Sequence, residues 1–222
     1  MTTNRCLGRW GRDLVFALLS GVLVFAACHG QAQERKKDAD QLATLLNWQP
    51  GSVVAEIGAG DGSMTLDAAE RVGPTGRVYT TELDKDKLAK LQSLAAEHKN
   101  IIAVKAGQAE TNLPAQCCDS IFMRRVYHHF TDPEKEDASL FQSLKPGGLF
   151  AVIDFQPGEG PGDSKLPKGV PENRGGHGMP KQLLIEELTT AGFQVVASPT
   201  DWTPPDYCVV FKKSKEQASA KG

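Results

Sequence analysis

The sequence predicts an α/β fold, a mostly parallel sheet flanked by helices with its last strand antiparallel, and three observations carry that expectation. Val53-Val54-Ala55-Glu56-Ile57 reads as a buried strand running into the glycine bend Gly58-Ala59-Gly60-Asp61-Gly62 and then into a helix from Ser63. Strand-like and helix-like segments then alternate at the rhythm of βαβ units. Near the end the rhythm changes: Phe193 to Ala197 and Tyr207 to Phe211 are strand-like with no helix between them, which implies an antiparallel hairpin.

The elements follow in order. Leu42, Leu45 and Leu46 fall at helical spacing over residues 40–46, before the helix-breaking cluster Trp48-Gln49-Pro50-Gly51. After the first strand, a helix from Ser63 to Val72 ends at Gly73-Pro74-Thr75-Gly76, and Val78 to Glu82 forms the second strand. Asp86 to His98 sets Leu88, Leu91, Leu94 and Ala95 on one face, an amphipathic helix for packing on a sheet. Ile101 to Val104 and Cys118 to Phe122 are further apolar strands. Asp132-Pro133 opens the next helix, because Asp caps and Pro is tolerated at the first helical position. Lys181 to Ala191 is the last helix, closed by Gly192. From Phe155 through Pro180 there are seven glycines and five prolines with no apolar period. So long a loop in a compact domain is functional or disordered, and it leaves the fifth strand on the predicted ligand side, so it is read as a substrate lid; a solvated surface excursion is the alternative.

The 222 residues suffice for one well-buried core and suggest no second domain of comparable size. A formal charge of −2 and a sequence pI of about 6.2 give no basic footprint, which disfavours nucleic acid as a partner. Arg5, Arg9 and Arg12 precede an uncharged stretch of 14 residues from Leu14 to Ala27, followed by Gln31-Ala32-Gln33-Glu34-Arg35, the layout of a secretory signal. A bilayer-spanning helix needs about 20 apolar residues, so a processed leader over residues 1–32 is favoured over an anchor. Cleavage after Ala32 is one route; lipidation at Cys28 in Ala26-Ala27-Cys28 is another, with membrane attachment as its consequence. The expected organisation is therefore a leader over 1–32, one domain over 33–212 and a flexible tail over 213–222, exported to the periplasm or cell envelope. Removing residues 1–32 takes away three Arg and one Asp, so the charge moves from −2 to −4. The remaining Cys117, Cys118 and Cys208 show no CxxC spacing, and Cys118 and Cys208 read as small buried strand residues. Nothing in the sequence signals an oligomeric state.

The glycine bend has the spacing GxGxG, with Ser63 where a dinucleotide-binding turn would place its third glycine. Glu56 would repel a pyrophosphate and attract a cationic group such as an ammonium or a sulfonium. The segment resembles motif I of the class I S-adenosylmethionine-dependent methyltransferases, acidic-x-G-x-G-x-G. Val78 to Glu82 resembles that family's second strand, Cys118 to Phe122 its fourth, and Leu144-Lys145-Pro146-Gly147-Gly148 with the strand to Asp154 its LKPGG turn and fifth strand. Four landmarks in order over about Leu42 to Lys212 carry the resemblance. It implies a three-layer, Rossmann-like, doubly wound sheet of seven strands and S-adenosylmethionine as cofactor. It further implies that Glu56 serves the methionine amino end, that Gly58, Gly60 and Gly62 form the cradle, and that Glu82 accepts the ribose hydroxyls. Leu83 then flanks the adenine, Gln108 and Ala109 stand beside it, and Arg124 completes the cofactor set. Gln108 occupies a place where many relatives carry Asp, which removes charge assistance from that contact.

Methyl transfer from a sulfonium is an in-line displacement, so the protein has mainly to position and desolvate. Arg124-Arg125-Val126-Tyr127-His128-His129-Phe130 follows the fourth strand at the same edge. Tyr127, His128 and His129 are the candidate acceptor-side residues there. His177, between Gly176 and Gly178 in the lid, is a further candidate, because flanking glycines would let it swing over the acceptor. His177 or His128 is expected to be the general base or acceptor-orienting group. Adjacent loop histidines are expected to point apart, so no metal site is expected, and a purely structural role for the pair stays open. The expected activity is methyl transfer to a small or lipid-like acceptor in the envelope. A module that binds the cofactor without turnover is the second reading, and a nicotinamide-dependent oxidoreductase is disfavoured by the glycine spacing and Glu56.

Overall fold

The computed structural model describes residues 33–214; the expected leader and residues 215–222 of the expected tail lie outside the described residues. The chain divides after Asp38, residues 33–38 being helical, and the fold below is that of the second unit. Its helices are α1 (residues 39–45), α2 (Ser63–Val72), α3 (Lys85–Glu97), α4 (Pro133–Ser143) and α5 (Lys181–Thr190). Its strands are β1 (Val53–Ile57), β2 (Arg77–Glu82), β3 (Ile101–Lys105), β4 (Cys118–Arg124), β5 (Leu144–Phe155), β6 (Phe193–Ala197) and β7 (Asp206–Lys213).

The seven strands form one sheet in the order β3-β2-β1-β4-β5-β7-β6. Five pair in parallel, and β7 inserts antiparallel between β5 and β6. The alternating pattern announced the parallel βαβ units, and the three-layer, doubly wound sheet of seven strands is the one the family resemblance implies. Side chains of a strand point alternately to the two faces, and β5 shows the result: Phe150 and Val152 enter one core, Ala151 and Ile153 the other. The first core is closed by α4 and α5 through Leu140, Leu184 and Leu188. The second is closed by α1, α2 and α3 through Leu42, Met64, Ala68 and Leu94. Trp48 stacks near Phe122 in this second core and donates its indole N–H to Ser120 Oγ at 3.0 Å, which satisfies its one polar atom. Cys118 and Cys208 are fully buried on β4 and β7.

Local chemistry sets the boundaries. Asp84 caps α3 by accepting from Asp86 N and Lys87 N, so the helix starts at Lys85, one residue earlier than the periodicity suggests. Asp132 accepts from Lys135 N with Pro133 at the first helical position, as expected. The Lys145–Gly148 turn lies where the β4–β5 register shifts between Cys118 and Ser120. A Cβ on Gly148 would stand 2.9 Å from Lys145 O and 3.0 Å from Asp119 O, so the tight return requires glycine. One boundary needs correction. Lys213, expected in the frayed tail, is the last residue of β7; its buried ammonium donates to Leu144 O at 2.7 Å and Phe141 O at 2.5 Å. No helix among the described residues is long and apolar enough to cross a membrane.

The chain leaves β1 toward β2 and β3 on one side and later passes to β4 and β5 on the other. The crevice at the carboxyl ends of β1 and β4 is therefore the topological switch point, where open α/β sheets bind ligands.

Candidate active site

A cavity of about 340 Å³ opens at this switch point. Its walls come from the residues that follow β1, β2, β3 and β4, and Gly58, Glu82, Leu83, Gln108, Arg124 and His129 of the predicted set line it. The volume falls in the range of sites for small organic ligands. Glu56, Gly60, Gly62, Ala109, Tyr127, His128 and His177 stand off its wall.

The β1–β2 end is organised by Glu82. Its Oε2 accepts from Gly60 N at 3.0 Å, and its Oε1 accepts from Leu83 N at 2.8 Å and Asp84 N at 3.1 Å. Three backbone donors thus hold the carboxylate against the glycine bend. Gly60 has φ +59, and a Cβ there would meet nothing within 4 Å, so the protein leaves space in front of that residue. An open cradle beside a pinned carboxylate fits an adenosyl group with ribose hydroxyls to be accepted. Gly62 has a different job. A Cβ there would lie 2.8 Å from Leu91 Cδ2 and 2.9 Å from Leu94 Cδ2, so its bareness lets the start of α2 pack on α3.

Glu56 corrects a second expectation. It lies at the same sheet edge as Glu82 but is buried, accepting from Thr65 Oγ1 at 2.5 Å, with Thr65 also bonded to Thr80 Oγ1 at 2.9 Å. Burial raises its carboxyl from 4.5 to about 8, against the lowering effect of the Thr65 hydrogen bond. Near neutral pH it is thus mostly protonated, and its attraction for a cation is held in reserve. A cationic group brought close would favour ionisation again.

The β4–β5 end is denser in chemistry than the sequence suggested. Residues Tyr127–His129 form a short 3₁₀ turn. Tyr127 turns inward, and its hydroxyl reaches Asp137 Oδ2 at 2.8 Å and Glu187 Oε2 at 2.9 Å. Burial and the two acids push its phenol well above its ordinary value. A phenol so locked is a core strut, and the expectation that Tyr127 acts on the acceptor fails for that reason. One phenolic proton cannot serve two carboxylates, and Asp137, raised by burial to about 7, can carry the other.

His128 is 1% exposed, and its Nδ1 lies 2.8 Å from Asp154 Oδ1. Asp154 sits near the end of β5, fully buried, and also accepts from His128 N at 3.2 Å. This pairing orients the ring and leaves Nε2, which is buried and without a hydrogen-bond partner among the described residues. His129 and His177 close in on it. Ring centroids are 4.0 Å apart for His128 and His129, 4.7 Å for His128 and His177, and 5.7 Å for His129 and His177. The expectation that adjacent histidines diverge fails because the 3₁₀ turn stacks their rings. Desolvation, with His128 and His177 beside it, pushes His129 down to about 4, and desolvation also lowers His177.

The segment from Gln156 to Pro180 is tied down and packed on the end of β5. Met179 N donates to Phe155 O at 2.8 Å, and His177 N to Ser164 O at 3.0 Å. A Cβ on Gly178 would stand 2.8 Å from Gln156 C, so that glycine permits close approach of two backbones where free swinging of His177 was expected. Arg174 is fully buried and donates to Glu187 Oε1 at 2.7 Å, with its guanidinium 5.5 Å from the Tyr127 ring centroid. Arg124 and Arg125 both reach Asp206, Arg125 Nε lying 2.9 and 3.0 Å from its two carboxylate oxygens. Arg125 has φ +56, an uncommon conformation for a non-glycine residue and one found at ligand sites. Sequence reasoning gave no role to Asp154, Asp206, Arg174 or Glu187. A usable signal existed only for Asp154, an acid closing the apolar run Ala151-Val152-Ile153 at the ligand edge.

The comparisons with known proteins agree with this geometry. Residues 55–152 match the family described as Methyltransferase domain. The ubiquinone/menaquinone biosynthesis C-methyltransferase UbiE of Enterobacter sp. (strain 638) is 29% identical over 109 residues, 47% of this chain and 43% of the relative. The chain thus spans under half the length of the curated relatives it matches. Among solved structures, a SAM-dependent methyltransferase from Aquifex aeolicus superposes with a TM-score of 0.63 at 22% identity, covering 79% of this chain and 88% of the other. A structure described as a possible exported protein from Bordetella parapertussis superposes with a TM-score of 0.61 at 18% identity, covering 82% and 67%. These two share the fold. With its domain match over residues 55–152, its strand order and its open glycine cradle, the chain carries a methyltransferase domain and has the fold of the S-adenosylmethionine-dependent methyltransferases it resembles.

Proposed function

We propose that this protein transfers a methyl group from S-adenosylmethionine to a small or lipid-like acceptor in the cell envelope. The observation that carries the reading is the Glu82 carboxylate, pinned by Gly60 N–H, in a cavity that His129 also lines. When bound, the cofactor supplies an electrophilic methyl on sulfur, and the chain's part is to bind, align and desolvate. Glu82 accepts the ribose hydroxyls, Leu83 flanks the adenine, and Gln108 accepts from its amino group. Arg124 and Gly58 close the walls beside the methionine end, and Glu56 supports that end from beneath. His128, oriented by Asp154, and His177 serve the acceptor by holding it in line or taking its proton.

The match to a ubiquinone/menaquinone biosynthesis C-methyltransferase supports a quinone-like acceptor, and the basic start of the chain with its apolar run supports the envelope as its site. Calorimetry of the full chain with S-adenosylmethionine and S-adenosylhomocysteine tests the cradle. Incubation with labelled cofactor and fractionated envelope extract tests the reaction. Stoichiometric binding with label appearing in a lipid or small-molecule fraction is expected. Binding without transfer to any fraction overturns the enzyme reading in favour of a sensor. His177→Ala is expected to keep cofactor affinity within about twofold while lowering turnover at least tenfold, within the ~10²–10⁴ range of acid–base contributions.

A further inference from the structure

We propose that His128, His129 and His177 form a three-histidine site for a first-row divalent transition metal, zinc being the reference ion, on the rim of the cavity. Three observations converge. One ring nitrogen from each histidine lies within 4.8 Å of those of the other two. One ring carries the outer partner that metal-bound histidines characteristically have: His128 Nδ1 is paired with the buried Asp154 carboxylate at 2.8 Å. Finally, His128 Nε2, the nitrogen this pairing leaves to ligate, is buried and has no hydrogen-bond partner among the described residues. A buried polar atom without a partner is costly in a native fold, and a metal would satisfy it.

The donor chemistry selects the ion class. Three imidazoles suit zinc, cobalt, nickel or copper, and a site without carboxylate donors disfavours magnesium and calcium. A tetrahedral ion with metal–nitrogen distances of about 2.0–2.1 Å sets its ligands about 3.4 Å apart, so the trio must close somewhat. His128 is fixed, whereas His129 is exposed and His177 only partly buried, so these two have room to supply the movement. Three protein ligands leave a fourth position. His129 lines the cavity, so that position lies on the acceptor side, where an acceptor oxygen or nitrogen would complete the coordination. The catalytic use of the ion rests on the methyl-transfer reading; the metal site itself does not.

The test uses the full chain without a histidine tag and zinc or cobalt alone, with no cofactor present. Competition against a chromogenic chelator is expected to show one tightly held zinc per chain. Asp154→Asn is expected to weaken it ~10–100-fold, the usual cost of losing an outer partner of a metal-bound histidine. His129→Gln and His177→Gln are expected to weaken it more, and Cys117→Ser to leave it unchanged. The cobalt form of the unaltered chain is expected to show visible d–d bands without thiolate charge transfer, a readout that requires no variant to fold. Absence of stoichiometric binding, binding that survives the His129→Gln/His177→Gln double substitution, or a thiolate band would overturn the proposal. A chain that holds zinc but fails to bind S-adenosylmethionine would instead overturn the function proposed above and leave the metal site standing.

Discussion

The two ends of the crevice are built on different principles. At the β1–β2 end one contiguous bend, Gly58 to Gly62, meets one side chain, Glu82, and the bonds between them run from backbone N–H to carboxylate. At the β4–β5 end, the order lies in side chains that pair with side chains of other elements: His128 with Asp154 and His177, Arg125 with Asp206, Arg174 with Glu187. A local bend encodes shape in few residues and fails locally. A side-chain network stores its order in packing, so damage to it should spread. Predictions can be arranged along that contrast.

The largest effect on stability is expected at the network end. Arg174→Ala leaves the Glu187 carboxylate without its buried partner, and breaking such a pair costs about 3–5 kcal/mol. Denaturant unfolding measures the loss, and a midpoint unchanged from the parent would show that the Arg174–Glu187 pair does not support the fold. Next comes Glu82→Gln. The amide cannot accept on both sides from Gly60, Leu83 and Asp84, and with its weaker acceptance of the ribose hydroxyls, S-adenosylmethionine affinity should fall about 100-fold, near 2.7 kcal/mol. Calorimetry reads it, and a loss under fivefold would separate Glu82 from the cofactor.

Two neighbouring glycines should then behave oppositely. Gly62→Ala drives a Cβ to 2.8 Å from Leu91 Cδ2 and should cost about 1–3 kcal/mol of stability through overpacking. Gly60→Ala meets no protein atom within 4 Å, so beyond the roughly 1–2 kcal/mol of left-handed strain its main effect should be on cofactor affinity. Equal effects of both on binding would blur the distinction between cradle and packing glycine.

The last prediction is a slope. Glu56 has a folded-state pKa of about 8 against an ordinary 4.5, so between those values the native state holds a proton that the unfolded chain has released. Stability must therefore fall as pH rises through that window, by up to about 1.4 kcal/mol per pH unit. Glu136, raised by burial to about 8, and Asp137, raised to about 7, add slopes of the same sign. Urea unfolding at pH 5 and pH 8 should show the decline, and Glu56→Gln should flatten it in part. A variant with the parent's full slope would locate the titration elsewhere.

Much of the fold was legible because its signals are local. Helix α2 matches its expected span residue for residue, since Gly62 and Gly73 punctuate both ends. The absence of a helix between β6 and β7 correctly announced their antiparallel pairing, whereas the insertion of β7 beside β5 was only what the family resemblance implied. The site was legible in halves. Gly58, Glu82, Leu83 and Gln108 were placed on the cavity because they follow directly from strand ends. Glu56 was misread in its state, because burial by Thr65 and Thr80 is invisible along the chain. Tyr127 and its neighbours His128 and His129 look alike in sequence, yet a single 3₁₀ turn sends the phenol inward to Asp137 and stacks the imidazoles together.

What the sequence alone determined is whatever depends on backbone periodicity and on glycines that permit a bend: the alternating layers, the switch-point crevice and the β1–β2 half of its rim. What only the tertiary structure decided is the company each titratable group keeps. Asp154 to His128 spans 26 residues and Arg125 to Asp206 spans 81. Such pairings arise when the sheet order brings strand ends side by side, and burial then sets which partner holds the proton, a quantity that no local pattern of residues contains.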